Sequence, residues 1–307
     1  MGLRIATNVN SLFAQRQLGL STQRLNKHTE RASSGYRINR AADDAAGLAI
    51  SEKLRAEVRG LGQAKRNAAD GISLVQTAEG GLNEITNIVV RLKELAVQAA
   101  SDTIGNQERG FLQKEFGALK SEIDRIATST EYNGTLLLTG RAELPDVLSE
   151  KSNKPPLEIQ VGSKYHPLTD GLDLPNPVNI IRIDLQDINA LTEGPGSLGI
   201  GTGHAEDGTR VDSKVTAQST INAMDSALEK INSYRATLGS IQSRLNSTVS
   251  SLAIQIENLE SSKSRIKDAD YAEESAHIVQ QSILQKAGVS ILSQANQMPE
   301  LALKLLQ

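Results

Sequence analysis

The chain has 307 residues, with 33 Lys and Arg against 36 Asp and Glu for a formal net charge of -3, and it contains three Phe, five Tyr, no Trp and no Cys. Disulfides, thiol chemistry and cysteine-based zinc sites are thereby excluded, and no basic field exists to gather the phosphates of a nucleic acid. The small aromatic mass argues against a thick globular core, whereas Leu, Ile, Val and Ala suit a thin helical bundle whose core is one or two side chains across.

The opening MGLRIATNVNSL lacks the apolar core and small-residue cleavage site of a secretory signal, and no apolar run reaches the roughly 20 residues of a membrane span. Apolar residues at Ile5, Val9 and Leu12, then at Leu18, Leu25 and Ala32, make only a weak stripe. A helix that buries so little is marginal in water and is expected to fray until a partner covers it. Ser33-Ser34-Gly35 supplies a stop, because Gly readily takes the left-handed conformation that ends a helix. Asp43 and Asp44 then stand where a carboxylate can cap the free N–H groups of the next helix.

From Leu54 the 3/4 spacing of a coiled-coil seam runs through Val58, Leu61, Ala68, Ile72 and Val75, slips by one residue near Ala78, and resumes with Leu82, Ile85, Val89, Leu92, Ala96 and Ala99. It predicts one long helix to about Ala99. Gly60, Gly62, Gly71, Gly80 and Gly81 interrupt it, each at up to ~1 kcal/mol relative to Ala, so close helix contacts are expected to compensate. After a loop around 102–106, Leu112, Phe116, Leu119, Ile123 and Ile126 repeat the spacing on a shorter helix that should fold back beside the long one.

Asn133-Gly134 signals a tight turn, and beyond it Leu157, Ile159 and Val161, then Ile181, Ile183 and Leu185, alternate with polar residues as half-buried strands do. Prolines such as Pro155, Pro167 and Pro175, with Gly199, Gly201 and Gly203, confine residues 130–211 to hairpins and turns. Helix resumes near Asp212, with a seam from Met224, Leu228, Ile231, Leu238, Ile241 and Leu245 through Leu252 to Ile266. A last amphipathic segment places Ile283, Ala287, Ile291, Met298, Leu301 and Leu305 on one stripe. It lacks the basic face and aromatic anchors of a membrane-surface helix. The fold class is therefore mainly α: an elongated antiparallel helical bundle or coiled coil with a small β-hairpin region in mid-chain.

Catalytic chemistry finds no footing. The histidines His28, His166, His204 and His277 show no metal-ligand spacing, and Gly199, Gly201 and Gly203 lack the residues that turn a glycine loop into a phosphate site. Neither an enzyme nor a cofactor is expected.

Several stretches carry a family likeness. Ser33-Ser34-Gly35-Tyr36-Arg37-Ile38-Asn39, then Asp43-Asp44-Ala45-Ala46-Gly47-Leu48-Ala49-Ile50, resembles the signature of bacterial flagellins. Asn67-Ala68-Ala69-Asp70-Gly71-Ile72-Ser73, Thr77-Ala78-Glu79-Gly80-Gly81-Leu82, Glu94-Leu95-Ala96-Val97-Gln98 and Tyr132-Asn133-Gly134 follow in the family's order, and Gln285-Lys286-Ala287-Gly288 and Gln294-Ala295-Asn296-Gln297 are similar to its C-terminal signature.

The resemblance implies an exported filament subunit for motility, extracellular and without a cleaved signal peptide. Residues 1–43 and 267–307 would form an inner coiled-coil core, packed through Leu18, Leu25, Ile283, Ala287, Ile291, Met298, Leu301 and Leu305. Residues 44–266 would form a helical rod with the 130–211 hairpins on its outer side. Arg37, Arg40, Asp43 and Asp44 would join core to rod, either through charge-assisted contacts between subunits or as a helix cap and solvated arginines. Implied partners are identical subunits, the filament cap, the hook–filament junction protein, an export chaperone at the C-terminal end and, through Arg91, Leu95 and Glu115, Toll-like receptor 5; neither nucleic acid nor membrane is among them. The hook–filament junction protein itself, which shares the terminal helical organisation, is the alternative identity.

Overall fold

The computed structural model describes residues 8–140, 156–165, 178–185, 187–193, 196–201 and 209–304. In chain order these form α1 (Val9–Ser34), α2 (Ala45–Ala99), α3 (Asn106–Ser129), β1 (Glu131–Tyr132), β2 (Thr135–Leu136), β3 (Leu157–Gln160), β4 (Ile180–Ile183), α4 (Lys214–Lys267) and α5 (Tyr271–Lys304). The chain divides into two compact units, Met1–Val58 with Glu257–Gln307, and Arg59–Ile256.

The unit Arg59–Ile256 is organised by a single heptad seam. On α2, Leu61, Ala64, Ala68, Gly71, Val75, Ala78, Leu82, Ile85, Val89, Leu92, Ala96 and Ala99 are buried in unbroken steps of three and four. The slip expected near Ala78 is absent: Gly71, not Ile72, holds the seam position before Val75, and Ala78 continues it. On α4 the same steps bury Ala217, Thr220, Met224, Ala227, Ile231, Leu238, Ile241 and Leu245. Phe116, Ile123 and Ala127 of α3 join them in one apolar cluster. Burial of this kind, at ~25 cal/mol per Å² of apolar area, is the main stabilising contribution to this unit.

The hairpins pack onto the same cluster. β1 and β2 pair antiparallel with Glu131 opposite Leu136 and Tyr132 opposite Thr135, joined by Asn133 and Gly134 with φ of 50° and 74°, the left-handed pair that a two-residue turn requires. β3 and β4 pair antiparallel from Leu157 opposite Ile183 to Gln160 opposite Ile180, and Arg182 bonds Glu158 across the strands at 2.9 Å. Two of the helix glycines exist for these hairpins. A Cβ on Gly81 would lie 2.7 Å from Thr130 Oγ1 and 2.8 Å from Leu138 Cδ1, and one on Gly71 would collide with Ile159. The compensating contacts expected from other helices thus come mostly from hairpin side chains, whereas Gly62 and Gly80 have open space where a Cβ would sit. Residues 141–155 and 166–177, with Gly203, lie outside the described residues.

Two buried cations stand where the sequence suggests surface. Arg109, 7 % exposed, closes the α2–α3 loop by donating to the carbonyls of Ala99 at 2.8 Å and Ser101 at 2.9 Å and to Asn106 at 2.8 Å. Lys120, 1 % exposed, donates to the carbonyl of Thr209 at 3.3 Å and lies 5.7 Å from the Phe116 ring centroid. Burial pushes its ammonium down to about 8, against the opposing pull of Asp124 and Glu193.

Candidate assembly surfaces

The unit made from the chain ends begins with well-capped helices. Asn8 accepts a hydrogen bond from the Ser11 N–H at 3.0 Å to open α1, and Gly35 closes it with φ 73° while donating to the Arg31 carbonyl at 2.9 Å, as the Ser-Ser-Gly stop predicts. α1 packs antiparallel on α5, with Asn8 opposite Ala295 and His28 opposite Glu274.

The seam between them has heptad spacing and unusual chemistry. Ser11, Ala14 and Ser21 are buried on α1, with Leu18, Leu25, His28 and Ala32 half-buried in the same steps of three and four. α5 contributes buried Glu274, Gln281 and Ala295, with Ile278, Gln285, Gly288 and Leu292 half-buried between them. Hydrogen bonds run the length of the seam. Asn8 donates to the Ala295 carbonyl at 2.7 Å and Ser11 to Asn296 Oδ1 at 2.7 Å. Ser21 reaches Gln281 Oε1 at 3.3 Å, and Gln285 donates to Thr22 Oγ1 at 3.1 Å. At the far end Glu274 receives His28 Nδ1 at 2.5 Å and Arg31 at 3.3 Å, and the His28 and His277 rings stack 4.9 Å apart.

With the most buried seam positions given to polar and small side chains, several large apolar ones point outward. Val9, Leu12 and Phe13 on α1 are 61 %, 54 % and 67 % exposed, and Ile283 and Ile291 on α5 are 61 % and 57 % exposed, with Ala287 exposed between them. Leu18 and Leu25 sit in the seam itself, Met298 and Leu301 lie on α5, and Ile5 and Leu305 fall outside the described residues. The stripe legible in the sequence is therefore two surfaces: part of α1 faces α5, and the α5 stripe faces away from it.

The linkers on either side of this pair are cross-tied. Tyr36 and Asp268 form an antiparallel bridge, the Arg37 N–H donates to the Lys267 carbonyl at 2.7 Å, and the Ala269 N–H to the Gly35 carbonyl at 3.0 Å. The Arg37 guanidinium donates to the Ile266 carbonyl at 2.8 Å, Lys267 pairs with Glu52 at 3.1 Å, and its ammonium lies 5.0 Å from the Tyr36 ring centroid. Asp44 caps α2 by accepting from the Gly47 N–H at 2.8 Å. Asp43 instead closes the linker: it pairs with Lys27 at 2.8 Å and accepts from the N–H groups of Asn39 and Arg40 at 3.3 Å and 3.2 Å. The Lys27 hydrogen bond, helped by those two N–H groups, holds its carboxyl down at about 2. Arg40 pairs with Glu30 at 2.9 Å with most of its side chain in solvent.

In the other unit, Arg91 bridges Glu94 and Glu115, each at 2.9 Å, on an exposed face. Leu95 does not share that face. At 1 % exposure it belongs to the α2 core, so of Arg91, Leu95 and Glu115 only the two charged residues present side chains to a partner.

Residues 5–143 match the family described as the bacterial flagellin N-terminal helical region, and residues 221–306 match the bacterial flagellin C-terminal helical region. The chain is 38 % identical to a flagellin of Halalkalibacterium halodurans over 98 % of both chains. The chain belongs to the bacterial flagellins. Flagellin FlaB1 of Treponema pallidum is 37 % identical, again over 98 % of both chains. A solved chain described as a flagellar hook-associated protein from Vibrio parahaemolyticus shares the fold at a TM-score of 0.54, covering 74 % of this chain and 100 % of that one at 12 % identity. At that identity the likeness concerns the helical architecture alone. As a flagellin the chain is a structural subunit of the flagellar filament, and nothing among its relatives favours the hook–filament junction alternative. No helix among the described residues is long and apolar enough to cross a membrane.

The residues missing from the sequence reading are the polar ones of the α1–α5 seam. Their spacing is as regular as that of any apolar seam, but Ser, Gln and Glu carry no hydrophobic signal, so a search for apolar periodicity passes over them.

Proposed function

We propose that this flagellin polymerises by burying the outward apolar faces of α1 and α5 between neighbouring subunits. In the filament, 1–43 and 267–307 form the inner core and 44–266 the surrounding rod. The observation that carries this reading is the inversion at the terminal pair: the buried positions are polar or small, whereas Val9, Leu12, Phe13, Ile283 and Ile291 are more than half exposed.

Within one chain, Ala14 and Ala295 are the buried apolar residues described on this helix pair, whereas ordering each residue of backbone costs roughly 1–2 kcal/mol. The pair is thus expected to be only marginally formed in the free subunit and to be completed at a growing tip. Coupling order to addition makes nucleation slow and elongation on an existing end favourable. Heterologous contacts of this kind repeat without closing and give an open helical filament.

Loosely ordered ends also suit export through a narrow channel and shielding by a chaperone at the C-terminal segment. At the filament's two ends the same faces would meet the cap and the hook–filament junction protein. Arg91 and Glu115 are the residues offered to Toll-like receptor 5.

Electron microscopy of the purified chain after seeding, beside a truncation lacking residues 267–307, tests the central claim. Long filaments from the full chain and none from the truncation support it. A full chain that stays monomeric on seeds overturns it and returns the junction-protein reading.

A further inference from the structure

We infer that the polar seam between α1 and α5 is a register lock that fixes which faces of the two helices meet and at what axial offset. The inference rests on the filament reading above. Apolar contact is non-directional. In a growing filament each α1 meets many apolar helix faces, and a heptad seam of leucines would accept slippage by seven residues, an axial error of about 10 Å, at little loss.

The observed seam does not allow that exchange. Glu274 is 7 % exposed and takes both His28 and Arg31, so a slipped pair would leave a carboxylate buried without them. Ser21 with Gln281 and Ser11 with Asn296 add two further positions along the helices, and all three pairings agree with the offset set by the Tyr36–Asp268 bridge. Buried polar residues at heptad positions are a known means of specifying register at some loss of stability. Here the stability lost within one chain is recovered between chains, because the apolar residues displaced from the seam become the polymer contact.

The chain has no cysteine, which makes a direct test clean. A Cβ at Gly288 would lie 3.9 Å from Leu18 Cβ, inside the disulfide window, so L18C/G288C reports the observed register. L18C/A295C reports a slip of one heptad. Both pairs are placed in the natural chain and in a chain carrying S21A, H28L, E274L and Q281L, polymerised on seeds under reducing conditions and then oxidised. In the natural background the first pair should close and the second should not. With the polar seam removed, the slipped disulfide should rise at least about fivefold while helicity is retained or increased.

Unchanged register in the substituted chain overturns the inference and leaves the Tyr36–Asp268 bridge as sufficient. Loss of both disulfides overturns it as well, since the seam would then supply stability in place of selection. Failure of the cysteine-free natural chain to elongate seeds is a separate result and counts against the filament reading instead.

Discussion

The two units use one geometric rule with opposite chemistry. In the unit Arg59–Ile256 the heptad positions hold Leu82, Ile85, Val89 and Leu92, all fully buried. In the terminal unit Ser11, Ser21, Gln281 and Glu274 share those positions with Leu18, Leu25, Ile278 and Leu292, which are only half-buried, while Val9, Leu12, Phe13, Ile283 and Ile291 lie outside the seam. The first arrangement buries its apolar stripe within one chain. The second leaves several of its large apolar side chains exposed, and under the proposed assembly it gains most of its stability from neighbours. Spacing specifies that a helix pair will form; the residues at the spaced positions decide whether it forms alone.

The largest expected effect breaks the comparison from both sides. Ile85→Ala should destabilise the free chain by about 2–5 kcal/mol, read as a lower midpoint in urea unfolding followed by helicity. Ile283→Ala should leave that midpoint within ~0.5 kcal/mol, as surface substitutions do, yet raise the subunit concentration needed to elongate seeds several-fold. Equal effects of the two on the free chain would erase the distinction drawn between the units.

Adjacent glycines sharpen the point at smaller scale. Gly81→Ala presses on Thr130 and Leu138 and should cost about 1–3 kcal/mol, whereas Gly80→Ala enters open space and should stabilise the free chain by up to ~1 kcal/mol. If Gly80→Ala also impairs elongation, a neighbouring subunit approaches that helix closely.

One pH effect belongs to the apolar unit alone. Lys120 holds its proton less tightly when folded, with its ammonium pushed from 10.5 to about 8. Between these values the unfolded chain binds a proton that the folded chain has released, so stability from this group rises with pH through that window. The difference in unfolding free energy between the natural chain and Lys120→Met should shift toward the natural chain from pH 7 to pH 10. A flat difference would show that Lys120 titrates as an ordinary surface lysine.

Acid weakens the terminal unit in the same direction, through a lower pH window. The Asp43 carboxyl is held at about 2, so its contribution is complete above the ordinary carboxylate range and fades as pH falls toward 2. Asp43→Asn should give slightly faster proteolysis of the 35–44 linker than the natural chain at neutral pH, and the gap should close as pH falls toward 2.

Much of this was legible in the sequence, for definite reasons. The α2 seam outside residues 71–78, the Gly35 stop, the Asn133–Gly134 turn and the β3–β4 pair follow from local patterns that no tertiary contact overrides. The apparent slip at Ala78 arose from weighing Ile72 above Gly71, when the hairpin's Ile159 needed the glycine. The family resemblance groups Leu95 with Arg91 and Glu115 as a receptor contact, but a side chain's direction depends on its helical phase, and its phase is that of Leu92 and Ala99. The buried cations Arg109 and Lys120 were invisible because their partners are backbone carbonyls, which every sequence supplies. The polar seam was hidden by its composition, and only the pairing of residues more than 240 positions apart exposes it.

In a filament, load carried by the terminal helix pair must pass through its two linkers to the rest of the chain. The cross-tie of residues 35–38 with 267–269 puts the two linkers side by side in opposite directions. Tension along either linker is then resisted by bonds lying across the pull, which yield together and not one after another. Neither linker is free to swivel alone, because Arg37 and Ala269 each bond across to the other linker beside the ends of α1 and α5.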